Sequence, residues 1–192
     1  MKKRIHPRRG RLTVVAGPMF SGKTSKLVAM VEVFSRMRHK VLTIKPKLDD
    51  RYGGKEEIHS HDHKKTPAIV VDHEKPEEVI SKNLADDADD VIFDEAQFFN
   101  KTKLMRVIET LRNRGVHVIA AGLLYDYRRK PFGAMPDLLG VADEQLELFA
   151  ICQRCGRLAR HLERIGGGKG LIEVGGAEKY IAVCEKCHRI YK

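Results

Sequence analysis

The sequence predicts an α/β chain: a parallel sheet with helices on both faces, followed by a small C-terminal module stapled by metal. Three observations predict it. Short apolar, β-branched runs alternate with stretches of helical periodicity. A glycine-rich segment lies between the first run and the first helix. All four cysteines, at 152, 155, 184 and 187, fall near the C-terminus as two C-x-x-C pairs.

The elements follow in order. Met1 to Arg11 is basic and expected to be disordered, and it supplies much of the net charge of +10. Leu12 to Ala16 reads as a buried strand. Leu27, Met30, Val31, Phe34 and Met37 then recur at helical spacing. Val41 to Ile44 is the next strand, and Lys45 to Thr66 is a polar stretch without periodicity, read as a long functional or mobile loop. Ala68 to Val71 is a strand, Pro76 to Leu84 a short helix and Asp90 to Asp94 a strand. A helix from about Lys101 to Arg114 is ended by Gly115, and Val116 to Gly122 is another buried strand. Near-continuous apolar strands joined by helices imply parallel pairing. Near Ala150 the character changes, with cysteines, Gly166 to Gly168, and Gly175-Gly176. The expected organisation is a tail over 1–11, an α/β domain over 12–149, and a cysteine- and glycine-containing domain over 150–192. A hydrophobic fraction of 42% suffices for one main core plus an appendage. With no stretch of membrane-span length and no secretory apolar run, the expectation is a cytoplasmic protein.

Residues 17–24 read Gly17-Pro18-Met19-Phe20-Ser21-Gly22-Lys23-Thr24, the pattern G-x-x-x-x-G-K-[ST]. Its glycines let backbone N–H groups turn inward onto phosphate oxygens. Lys23 adds a point charge, Thr24 offers a hydroxyl to Mg²⁺, and the helix N-terminus adds its dipole. Gly17, Ser21, Gly22, Lys23, Thr24 and Ser25 are therefore the candidate phosphate ligands, in a P-loop NTPase-like domain. A nucleotide ligand also accounts for a basic chain, so the tail is expected to solubilise rather than to bind nucleic acid.

Val91-Ile92-Phe93-Asp94-Glu95 is an apolar strand ending in two carboxylates, expected beside the loop strand. Asp94 is the candidate magnesium partner and Glu95 the candidate base. The pair alone leaves water and an alcohol open as acceptors. The paired cysteine spacing favours structural Zn²⁺ over disulfides or free thiols, with His188 as the alternative to Cys187 for the fourth ligand.

Four segments together resemble the type II thymidine kinases, the cytosolic, tetrameric, zinc-containing class. They are the loop at 17–24, Asp94-Glu95-Ala96-Gln97-Phe98-Phe99, Arg129-Lys130-Pro131-Phe132-Gly133 and Val174-Gly175-Gly176-Ala177-Glu178-Lys179-Tyr180. The resemblance runs from about residue 11 to the C-terminus, and Cys152, Cys155, Cys184 and Cys187 match that family's zinc site. It implies transfer of the ATP γ-phosphate to the 5′-hydroxyl of thymidine with Mg²⁺, a homotetramer, and feedback inhibition by thymidine triphosphate. It also implies Asp49 near the magnesium and Arg51 as a catalytic arginine at the phosphates. Met19, Phe98, Leu123 and Tyr127 would surround the thymine, with Val174, Gly175, Gly176 and Tyr180 on a closing lid that reads the base through backbone groups. This chain departs from the family pattern at Leu124, where an acidic residue is usual, and at Tyr127, where Phe is frequent. A DNA-associated ATPase is the competing reading. It would call for aromatic residues interleaved with a basic stripe, and the C-terminal region offers only Phe149, Tyr180 and Tyr191. A non-catalytic zinc scaffold would leave both phosphate motifs without a use.

Overall fold

In the computed structural model, which describes residues 9–47, 57–59, 65–166 and 176–189, the five apolar runs all join one sheet. They form β1 (Leu12–Ala16), β2 (Val41–Pro46), β5 (Ile69–Val71), β6 (Asp90–Phe93) and β7 (His117–Gly122). A sixth strand, β8 (Glu144–Glu147), completes the order β5-β2-β6-β7-β1-β8, and every pairing in it is parallel.

Alternation along the strands builds two cores. Leu12, Val14, Val91, Phe93, Val118 and Ala120 face one side, where α3 (Lys101–Asn113) brings Leu104, Val107, Ile108 and Leu111. The short α2 (Glu78–Ser81) and α4 (Met135–Gly140) lie on the same side through Val79, Met135 and Leu138. Val15, Ile92, Ile119 and Ala121 face the other side, against Leu27 and Val28 of α1 (Lys23–Arg36). Asn100 caps α3 by accepting from the Lys103 N–H at 3.3 Å, and Gly115 ends it at φ +82°.

Two expectations change. The strand ending in Asp94 does not lie beside the loop strand: β7 stands between them, pairing Leu12 with Val118 on one side and Val91 with Val118 on the other. His117–Gly122 is buried on both faces from Val118 onward, which suits it to the middle of a parallel sheet. The stretch from Lys45 to Thr66 is not all loop. Strand β2 runs on to Pro46, and β3 (Glu57–His59) pairs antiparallel with β4 (Lys65–Pro67). Ile58 is buried with Leu27 and Val28 of α1, and three-residue strands are too short to show a period in sequence.

Arg9 to Arg11, expected in the tail, are tied to the domain. Arg112 donates to the Gly10 carbonyl at 3.0 Å, and Arg9 pairs with Glu109 at 2.6 Å. Beyond β8, β9 (Ala150–Ile151) pairs with β10 (Leu158–Ala159), and β11 (His161–Arg164) pairs with β12 (Tyr180–Val183). Their shared core of Ala150, Cys152, Ala159, Ala182, Val183 and Cys184 also receives Phe20 from the phosphate loop. Among the described residues no helix is long and apolar enough to cross a membrane.

Candidate active site

Ala16 pairs with Gly122 and Phe93 with Ala120, so β1 and β7 end level and β6 ends two residues short of them, at the same end of the sheet. The loop after β1 and the carboxylates after β6 therefore share one edge of the sheet. One intervening strand separates their strands by about 10 Å. That is the carboxyl edge, where parallel sheets place their ligands.

The loop is curled by its own contacts. Ser21 Oγ and Lys23 Nζ each donate to the Pro18 carbonyl at 2.8 Å. Lys23 is buried, so its charge is carried at the inner face of the loop rather than in solvent. Gly22 has φ +82° with open space where a Cβ would be, so its requirement is conformational. Gly17 is steric: a Cβ there would lie 2.6 Å from the Leu148 carbonyl oxygen. Thr24 and Ser25 sit half-buried in the first turn of α1, where N–H groups have no helical partner.

Asp94 and Glu95 are both buried. The Glu95 N–H donates to Asp94 Oδ1 at 2.9 Å, and Glu95 adopts a left-handed conformation with φ +51°. A non-glycine residue held there is a strained turn, and it redirects the chain immediately after the strand. Gln97, also buried, donates from Nε2 to Glu95 Oε2 and accepts the Leu123 N–H through Oε1 at 3.0 Å. Gln97 is quoted in the sequence motif, but no role is legible for it there.

The candidate pocket residues divide. Leu123 is buried and lines one narrow cleft with Gly17, Pro18, Leu148 and Leu162. Met19 is half-buried. Phe98 is half-buried and meets Phe132 edge-on at 5.6 Å, whereas Phe99 belongs to the core against Phe93. Tyr127 and Tyr180 are brought together by a residue the sequence did not suggest. The Arg164 guanidinium lies 4.1 Å above the Tyr127 ring and 5.5 Å from that of Tyr180, whose hydroxyl accepts from Nη2 at 3.0 Å. Leu124, in the place of the usual acid, packs on the core. The nearby Asp126 carboxylate is used by the turn itself, accepting from the N–H groups of Arg128 at 2.8 Å and Lys130 at 2.9 Å. The Gly176 N–H donates to Glu178 Oε1 at 2.8 Å. Asp49, Arg51, Val174 and Gly175 lie outside the described residues.

Cys152, Cys155, Cys184 and Cys187 place their sulfurs within 4.8 Å of one another. A tetrahedron with Zn–S bonds of about 2.3 Å has edges of about 3.8 Å, and the Cys155–Cys184 separation is 3.6 Å. The donor set fits zinc. Hydrogen bonding from Arg157 holds the Cys155 thiol down to about 6, while hydrogen bonds with Cys155 and Cys184 push Cys187 up to about 12. Four adjacent thiols do not all ionise unless a cation compensates them. The cluster contains Cys187 and not His188. The Nε2 of His188 lies 3.0 Å from the Leu162 carbonyl and 3.2 Å from that of Tyr127, and Cys187 completes the group. A bidentate ion pair braces the knuckle, with Arg154 Nη1 donating to buried Glu163 at 2.8 Å.

A sequence profile described as "Thymidine kinase" matches residues 10–188. A protein named thymidine kinase from Onion yellows phytoplasma (strain OY-M) is 38% identical over 185 residues, covering 93% of this chain and 87% of the relative. Another of the same name, from Aster yellows witches'-broom phytoplasma (strain AYWB), is 37% identical over the same shares.

Proposed function

The chain belongs to the thymidine kinase family, and we infer from that premise and from the site's geometry that it transfers the γ-phosphoryl group of ATP to the 5′-hydroxyl of thymidine. The observation that carries the chemistry is the shared sheet edge, with a curled phosphate loop on one strand end and a buried, backbone-turned Glu95 two strands away.

The roles follow from position. The loop N–H groups and Lys23 hold the β- and γ-phosphates. Thr24 and Asp94 offer the hydroxyl and carboxylate oxygens that suit Mg²⁺, with Asp49 as a further partner; the cation supplies charge neutralisation at the phosphate oxygens. Glu95 accepts the proton of the 5′-hydroxyl as its oxygen bonds to the γ-phosphorus and the bond to the ADP oxygen breaks. Arg51 spreads charge on the transferring group. Leu123, Met19, Phe98, Tyr127 and Tyr180 enclose the base, and residues 174–176 close over it. Closure excludes water, which would otherwise take the phosphoryl group. Cys152, Cys155, Cys184 and Cys187 would hold zinc, which would tie together the two chain stretches that flank the lid segment. Family membership further supports a cytoplasmic homotetramer restrained by thymidine triphosphate, readable by light scattering and by inhibition kinetics.

The test compares phosphate transfer to thymidine with ATP loss in its absence. Thymidine-dependent ADP release, matched by thymidine monophosphate, is expected; equal ATP loss without thymidine would replace the kinase with an ATPase. Deoxyuridine should be a weaker substrate and deoxycytidine none, because a reversed hydrogen-bonding edge leaves buried groups unpaired. Comparable kcat/KM for deoxycytidine and thymidine would sink the backbone readout.

A further inference from the structure

Glu95 is not held by its own backbone alone. We propose that Gln97 is the positioning residue of the catalytic base, a two-ended clamp that ties the Glu95 carboxylate to the backbone of Leu123. The proposal rests on the reading of Glu95 as the base.

Counting donors sets the orientation of the Gln97 amide. The Leu123 N–H can only donate, so the amide atom facing it at 3.0 Å is the oxygen. Nε2 is then turned to Glu95 Oε2, where it donates. A flipped amide would set N–H against N–H at one end and oxygen against carboxylate at the other. Two glycines let the backbone approach Gln97 closely. A Cβ on Gly122 would stand 2.3 Å from Gln97 Oε1, and a Cβ on Gly133 would stand 2.0 Å from the Gln97 carbonyl oxygen. Gln97 is 3% exposed, so neither end exchanges its partner for bulk water.

One consequence follows for the reaction: the hydrogen bond from Nε2 fixes the Glu95 carboxylate through Oε2, so its orientation does not depend on the substrate. Leu123 lines the cleft beside the phosphate loop, so the clamp references the base to a wall of the same site. Gln97 itself touches neither phosphate nor nucleoside in this role.

Gln97→Met keeps the volume and removes both hydrogen bonds. Its kcat should fall roughly tenfold to a hundredfold, with KM for thymidine and ATP held within about threefold. Gln97→Glu keeps the shape and an acceptor for Leu123 but removes the donor. It should be slow at neutral pH and recover in part as pH falls, when the introduced carboxyl is protonated and can donate again. An unchanged kcat in Gln97→Met, or a loss confined to KM, would overturn the clamp. Should circular dichroism show Gln97→Met unfolded, Gln97→Glu decides alone, and a profile without low-pH recovery overturns the proposal. Glu95→Gln separates the two readings. Near-parent turnover there removes Glu95 as the base, whereas an inactive Glu95→Gln beside an undisturbed Gln97→Met removes only the clamp.

Discussion

At the scale of single residues, the site depends on groups whose surroundings assign them a task. Glu95 is buried, left-handed and bonded by Gln97, so it is aimed before any substrate arrives. Glu95→Gln preserves the shape and removes the proton acceptor. It should bind ATP as the parent does and lose about 10²–10⁴-fold in turnover; single-turnover kinetics with matched nucleotide binding would show it, and a few-fold loss would not fit. The sequence singles out Glu95 because an acid after an apolar strand has few other uses in a chain with a phosphate loop, and the structure adds its burial and its turn. Gln97 and Arg164 were not legible as site residues. Each acts through a contact across the fold, Gln97 reaching Leu123 and Arg164 reaching Tyr127, and no local pattern encodes such a pairing.

At the scale of elements, strands with apolar runs were readable because burial on both faces leaves few polar positions to blur the pattern. Strand β8 was not, since Glu144, Gln145 and Glu147 are exposed on the sheet edge and only Leu146 turns inward. Helix α4 is six residues long with Pro136 in its first turn, too brief to show a helical period. The insertion of β7 between β6 and β1 was also invisible, because adjacency in a parallel sheet is decided by crossovers and not by the strands' own composition. Two predictions belong here. Gly133→Ala puts a Cβ at φ +57° and 2.0 Å from a backbone oxygen of the turn that carries Gln97. It should cost on the order of 1–3 kcal/mol in urea unfolding and lower kcat, while Gly140→Ala, with open space around its Cβ, should do neither. Cys187→Ser should lose zinc by elemental analysis, since His188 is directed at backbone carbonyls; full zinc retention would reinstate it as a ligand.

At the scale of the whole molecule, the two ends of the sheet have different duties. The carboxyl edge carries the phosphate loop and the proposed base. The opposite end is closed by Arg112, a buried guanidinium from α3 that donates to Asp143 Oδ2 at 2.7 Å and to the Gly10 carbonyl at 3.0 Å. Asp143 Oδ2 also accepts the Leu12 N–H at 2.7 Å, so one carboxylate ties the start of β1 to α3. The Leu12 N–H, and after it the Arg112 charge, hold the Asp143 carboxyl below its ordinary value of 3.8, against the opposing effect of burial. A depressed carboxylate gives stability that is fully present above the unfolded value and is lost as pH falls through the folded one. Asp143→Asn keeps an acceptor for Leu12 but leaves the buried Arg112 without its counter-charge. The Asp143 side chain is 43% exposed, so water screens the pair, and at pH 7 the change should cost about 0.5–1 kcal/mol, or very roughly 1–4 °C in Tm for a chain of this size. The gap from the parent should narrow in strong acid, where the parent carboxyl is itself protonated. Turnover at 25 °C should stay at the parent level, because about 16 Å of strand separates this foot from the phosphate loop. An unchanged Tm would mean that water replaces Asp143 at Arg112, and a parallel fall in kcat would mean that the two ends of the sheet are not independent.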